Sequence, residues 1–231
     1  SCKEVKNFFN SYLKDPNIEN LIYLKDKSFD LYQLDYYLIR QSSVIGSLET
    51  LIFLLENIQK PLEDIKEILN WCLKNAITND NDEITYYLLN LDVVNPRMDN
   101  NFPIRTAAKK NNEKLLKYLL QNKNIVLTAK TNATIRNIVR NNNKELLKYV
   151  LNYAENNLNE TEISSMIQEV FIESCENENY KLLDFSLEHP KFSARKKNNQ
   201  ALRLATKRNK IELIDYILAK GLNHQKGLLS S

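Results

Sequence analysis

The sequence predicts an all-α protein, an α-solenoid of about seven stacked helix-turn-helix repeats. Three observations predict it. A string of paired aliphatics around an aromatic recurs along the chain. Glycine is scarce, with three in 231 residues, against roughly 7% in average usage. Asparagine is abundant, with 32 copies, and it is the best substitute for glycine where a helix stops in a left-handed conformation. Scarce glycine also excludes most phosphate-cradling loops and argues against a sandwich or barrel built on glycine turns.

The string reads Leu115-Leu116-Lys117-Tyr118-Leu119-Leu120, then Leu146-Leu147-Lys148-Tyr149-Val150-Leu151, then Leu213-Ile214-Asp215-Tyr216-Ile217-Leu218. Weaker copies centre on Tyr23, Phe53, Tyr87 and Phe185, which gives seven aromatic anchors with a mean spacing of about 32 residues. Helical apolar spacing inside a repeat of this length is the signature of a stacked array. Eleven residues before the anchor lie Ser42, Ala76, Ala107, Ser174 and Ala205, small side chains that let one helix approach another. Seven residues before it lie Gly46, Asp80, Asn111, Asn142 and Asn209, at the expected left-handed stop. Each repeat is therefore a helix, a stop, a short turn and a second helix.

Taken in order, residues 1–30 form a degenerate first unit, with Pro16 at the stop slot. The second unit stops at Gly46 and carries Phe53. Pro61-Leu62 opens a longer helix through Trp71, with the stop at Asp80 and the anchor at Tyr87. The units at Tyr118 and Tyr149 follow the pattern most closely. Residues 152–165 read as an insert, and the Phe185 unit departs from the stop rule with Glu178. The Tyr216 unit closes the repeats at 221, and 222–231 reads as a tail. No glycine- or proline-rich linker divides the chain, so 1–231 reads as a single domain with repeats over 31–221.

Residues 99–120 read Asp-Asn-Asn-Phe-Pro-Ile-Arg-Thr-Ala-Ala-Lys-Lys-Asn-Asn-Glu-Lys-Leu-Leu-Lys-Tyr-Leu-Leu. This stretch resembles the ankyrin repeat, with Pro103 and Ala107-Ala108 where the family's Thr-Pro-Leu-His-x-Ala-Ala helix start puts them. Phe102 replaces Thr and Arg105 replaces His. Residues 199–205 resemble the divergent Asn-x-Ala-Ile-Arg-x-Ala form, which occurs in proteins of low-GC protists and large DNA viruses. The resemblance is clearest over 97–151 and 195–221 and least over 1–30 and 152–194. It implies a non-enzymatic scaffold whose turn fingers and exposed first-helix ends line a concave groove.

The composition bounds the chemistry. Cys2, Cys72 and Cys175 show no metal-ligand spacing and are too few and odd in number for a disulfide framework, which fits a reducing compartment. The expected location is intracellular, in cytoplasm or nucleus (of a host cell if the protein is viral), with no membrane association. No cofactor, metal or small-molecule substrate is expected. His189 precedes Pro190 in a turn, His224 falls in the tail, and neither has a carboxylate or cysteine at ligand spacing. Cys175 occupies the slot that Ala108 fills elsewhere and so reads as a packed thiol. Asp80, Asp82 and Glu83 read as a turn and a helix start, because the glycine and terminal glutamate of a calcium loop are absent. No catalytic residue is expected.

Binding is the more informative direction. The chain carries a net charge of +3 overall. Residues 1–96 carry −6 and residues 97–231 carry +9. Thirteen residues before the anchor lie Arg40, Lys74, Arg105, Arg136 and Arg203 in five of the seven units, a cation ladder, with Asn10 and Ile172 in the other two. The resemblance implies that it braces adjacent repeats, as the family's His does; facing an anionic partner is the other reading. A second set lies at first-helix ends and in the preceding turns: Lys109, Lys110, Lys130, Arg140, Arg195, Lys196, Lys197, Lys207 and Arg208. Simple compensation of helix C-termini accounts for such charges, and so does a groove for an acidic peptide or acidic protein face. A nucleic-acid-binding module using the basic surface of residues 97–231 is the alternative, although few aromatics accompany the cations.

Overall fold

In a computed structural model, which describes residues 2–122, 125, 127, 132–192, 203, 205–207 and 209–227, every regular element is helical and no strand occurs among these residues. The chain divides into two compact units, Ser1–Pro103 and Ile104–Ser231.

In the first unit, α1 (Cys2–Tyr12) and α2 (Ile18–Asp26) precede α3 (Gln33–Ile45) and α4 (Leu48–Asn57). Pro61 then introduces a 3₁₀ turn, Leu62–Ile65, followed by α5 (Lys66–Thr78) and α6 (Asp82–Leu89). The expected long helix is thus a 3₁₀ turn joined to an α-helix. Helix α5 packs against both α3 and α6, and α3 packs against α4. Leu38, Ile39, Leu51, Leu54, Leu69, Cys72, Leu73, Ala76 and Leu88 are fully buried between them.

From its left-handed start in the first unit, α7 (Met98–Lys109) leads into the second, which contains α8 (Glu113–Asn122), α9 (Asn132–Arg140), α10 (Lys144–Asn157), α11 (Glu160–Glu176), α12 (Tyr180–Leu187) and α13 (Ile211–Gly227). Residues 203 and 205–207 are also helical. Helix α11 packs against α9 and α12. The insert is resolved into an extension of α10 and a long α11, which Asn159 and Glu162 start with a reciprocal capping box. Helix α13 continues through Gly227, so residues 222–227 of the expected tail are helical. No proline interrupts them, and Gly221 inside the helix costs only about 1 kcal/mol.

The stop slots are left-handed as expected: Gly46 (φ 90°), Asp80 (59°), Asn111 (56°), Asn142 (53°) and Asn209 (55°). Glu178 adopts the same conformation, φ 53°, although its side chain gives no local reason to. All five small-slot residues, Ser42, Ala76, Ala107, Ser174 and Ala205, are buried. Leu115 and Leu116, Leu146 and Leu147, and Leu182 and Leu183 are core, while in the Tyr216 unit Leu213 is buried and Ile214 only half-buried. The aromatic anchors are only half-buried, and Tyr23 is 61% exposed, so they edge the core without filling it.

Two corners match without having been expected. Leu34, Asp35 and Tyr36 (φ 59°, 54° and 57°) and Asp99, Asn100 and Asn101 (φ 48°, 56° and 62°) are runs of three left-handed residues. They lie 65 residues apart, and each forms the kinked start of its helix, α3 or α7, one residue after the first.

Candidate functional site

Successive helix pairs are tied by a row of side chains immediately after the left-handed stops. Asn143 Oδ1 accepts from Leu146 N at 2.9 Å and caps α10, while its Nδ2 donates to Asn111 Oδ1 and Glu113 Oε1, both at 2.8 Å. Asn179 repeats the arrangement: Oδ1 accepts from Leu182 N at 3.2 Å, and Nδ2 donates to Asn142 Oδ1 at 2.8 Å. Where the stop is Gly46, with no side chain to offer, Asn81 Nδ2 donates to the carbonyls of Ser43 and Val44 at 2.9 and 3.0 Å. Where the stop is Glu178, the residue in the donor slot is Lys210, whose Nζ lies 2.6 Å from Glu178 Oε1. At Asn143 and Asn179 one amide both accepts, to cap its own helix, and donates, to reach the preceding helix pair; Asn81 only donates.

The cation ladder also reaches from repeat to repeat. The Arg40 guanidinium sits 5.0 Å from the Trp71 ring centre and bonds Asp35 within its own corner at 2.8 Å. Lys74 Nζ lies 2.6 Å from Asp99 Oδ2 and 5.2 Å from the Phe102 ring. Arg136 Nη1 lies 2.7 Å from Glu169 Oε1. Trp71, Phe102 and Glu169 each lie three residues before the next slot of the ladder, Lys74, Arg105 and Ile172. Arg105 is half-buried and its carbonyl accepts from Asn137 Nδ2 at 3.2 Å; Arg203 is exposed.

The proposed groove cations divide. Lys109 and Lys110, at the end of α7, are exposed, as is Lys207. Asn141 Nδ2 donates to Ala108 O at 2.7 Å and Lys109 O at 3.3 Å, which places the ends of α7 and α9 side by side. Arg140 ends α9 and is committed elsewhere: its Nε lies 2.5 Å and its Nη2 3.3 Å from the two Glu173 carboxylate oxygens. Glu173 is 3% exposed against 52% for Arg140, so the guanidinium compensates a buried carboxylate that would otherwise be costly. The spacing of Arg136 and Arg140, one helical turn, matches that of Glu169 and Glu173 and zips α9 to α11. Lys130, Arg195, Lys196, Lys197 and Arg208 lie outside the described residues.

The side chains weighed for catalysis are occupied structurally. Burial pushes the Cys72 thiol up to about 11 and the Cys175 thiol up to about 12, and both remain protonated at neutral pH. His189 Nδ1 accepts from Lys191 N at 3.2 Å and Nε2 lies 3.4 Å from Glu155 Oε1, a carboxylate 34 residues away that spacing rules do not find. These contacts fasten the turn after α12 to α10. Asp82 and Glu83 occupy the first turn of α6 as expected. No group of three metal-ligating side chains occurs among the described residues, and no described helix is long and apolar enough to cross a membrane.

No family model matches the chain, and no curated protein or solved structure matches it.

Proposed function

We propose that the chain is an ankyrin-like array acting as a non-enzymatic interaction scaffold, and that residues 97–231 hold an acidic peptide or an acidic protein face along their first-helix ends. The observation that carries the reading is the recurrence of exposed cations at one repeat position. Lys109 and Lys207 both lie nine residues before their anchors and are exposed, and among the described residues neither forms an ion pair. The repeated left-handed stops and the asparagine row support the array itself, since a stacked solenoid needs the same joint at each step. Arg140 is a brace within this reading and drops out of the contact set. Lys110 stays in it on its exposure at the same helix end.

A labelled oligoglutamate peptide and a duplex DNA of equal length, titrated against the protein at several salt concentrations, test the proposal. The peptide is expected to bind, and Lys109→Glu with Lys207→Glu is expected to weaken it by about tenfold, in keeping with loss of two rim charges. Preference for the DNA, with log affinity falling by roughly 0.9 per log salt for each phosphate neutralised, would move the function to nucleic-acid binding. Absence of both would remove the basic surface as a binding site.

A further inference from the structure

A cavity of about 790 Å³ opens in the first unit between the loop joining α2 to α3, the left-handed corner at Leu34, Asp35 and Tyr36, and the segment that follows α4. That size falls within the range of about 300–1,000 Å³ typical of sites for small organic ligands. The charged side chains lining it are Lys25, Asp30, Asp35 and Lys60. Asp35 is neutralised, with its Oδ2 2.8 Å from Arg40 Nη2, whereas Asp30 Oδ1 accepts only from Tyr32 N at 2.8 Å and keeps its charge, so the two lysines leave the lining with a net single positive charge. The two lysines have only neutral acceptors. Lys25 Nζ donates to Asn57 Oδ1 at 2.5 Å and Lys60 Nζ to the Tyr36 hydroxyl at 3.3 Å, and among the described residues neither forms an ion pair. An ammonium carries three donors, so both retain donors. The Tyr32 and Tyr36 rings in the same lining pack against each other, centres 6.2 Å apart and tilted by 57°, and Lys60 Nζ lies 6.0 Å from the Tyr36 ring centre. The Tyr32 hydroxyl is spent on Leu54 O, and burial followed by the Asp30 charge pushes it up to about 12, so Tyr32 offers the cavity a neutral ring.

We propose that this cavity binds an aryl oxyanion, a phosphate or carboxylate carried on a flat apolar group, with Lys25 and Lys60 taking the charge and the ring lying against the outer side of the Tyr32–Tyr36 pair. The site lies in the acidic half of the chain, and it stands or falls independently of the basic surface proposed above. Phenyl phosphate, benzoate and inorganic phosphate, each titrated into the isotope-labelled protein and followed by amide chemical shifts, provide the test. Saturable shifts confined to residues 25–36 and 57–60 are expected with an aryl ligand and weaker ones with inorganic phosphate; whether the phosphate or the carboxylate binds tighter identifies the oxyanion. Lys25→Met and Lys60→Met keep the apolar stem at exposed positions, leave the circular-dichroism spectrum unchanged, and are each expected to weaken binding by about tenfold, the worth of one charge-assisted hydrogen bond. No saturable shift at millimolar ligand, inorganic phosphate binding as tightly as the aryl ligands, or lysine variants binding like the unaltered chain would each overturn the proposal.

Discussion

At the scale of single residues, asparagine does the work that composition alone leaves unexplained. The sequence makes most of the left-handed stops legible, because glycine, aspartate or asparagine stands seven residues before five of the seven anchors. It does not make the next residue's role legible. A capping Asn and a bridging Asn look identical until the neighbouring repeat is in place, and Asn143 is both. Glu113 reports on that bridge. The Asn143 amide, and after it Lys117, hold the Glu113 carboxyl below its ordinary value of 4.5. A carboxyl depressed in the folded state contributes stability above its unfolded value, and that contribution is lost as pH falls through the folded one. Side-chain NMR titration is therefore expected to place Glu113 below an ordinary glutamate, and Asn143→Ser, which keeps a cap acceptor but removes the amide donor, to bring it upward. An unchanged Glu113 titration in that variant would contradict the bridge.

At the scale of elements, the repeat tolerates a misfit where a partner compensates it. Glu178 breaks the residue rule for the stop yet adopts its backbone, and a non-glycine residue there costs roughly 1–2 kcal/mol. Lys210 occupies the slot that holds Asn in the four preceding units and meets the Glu178 carboxylate. With both side chains near half-exposed, the pair contributes at most about 1 kcal/mol. Once Lys210→Ala has removed the pair, Glu178→Gly is expected to stabilise the protein by about 1 kcal/mol, read as a higher denaturant midpoint at constant slope. A lower midpoint would contradict the stored cost. Helix boundaries were legible where a stop residue marked them. They were not legible at α13, where a glycine that looked like an end sits within a continuing helix, nor at the three-residue left-handed corners, whose Leu34-Asp35-Tyr36 and Asp99-Asn100-Asn101 sequences share little.

At the scale of the whole molecule, the two compact units share one device: within each, a side chain just after a left-handed stop reaches the preceding helix pair. The helical class and the burial pattern were readable from periodicity, because aliphatic spacing is a direct consequence of which face meets the next helix. The candidate surface was only partly readable. Arg140 and Lys109 hold equivalent positions, but a buried Glu173 from α11 ties Arg140 into an ion pair. Long-range pairing of that kind has no signature in local sequence. In an array, stability resides in nearest-neighbour coupling as much as in each repeat. The joint between Asn142 and Asn179 isolates that coupling, since Asn142→Gly keeps the left-handed stop while removing the acceptor, and Asn179→Ser keeps a cap while removing the donor. A double-mutant cycle on these two positions, measured by chemical denaturation, is predicted to give a coupling of about 0.5–1.5 kcal/mol; strictly additive single-variant effects would contradict the claim that the asparagine row joins one repeat to the next.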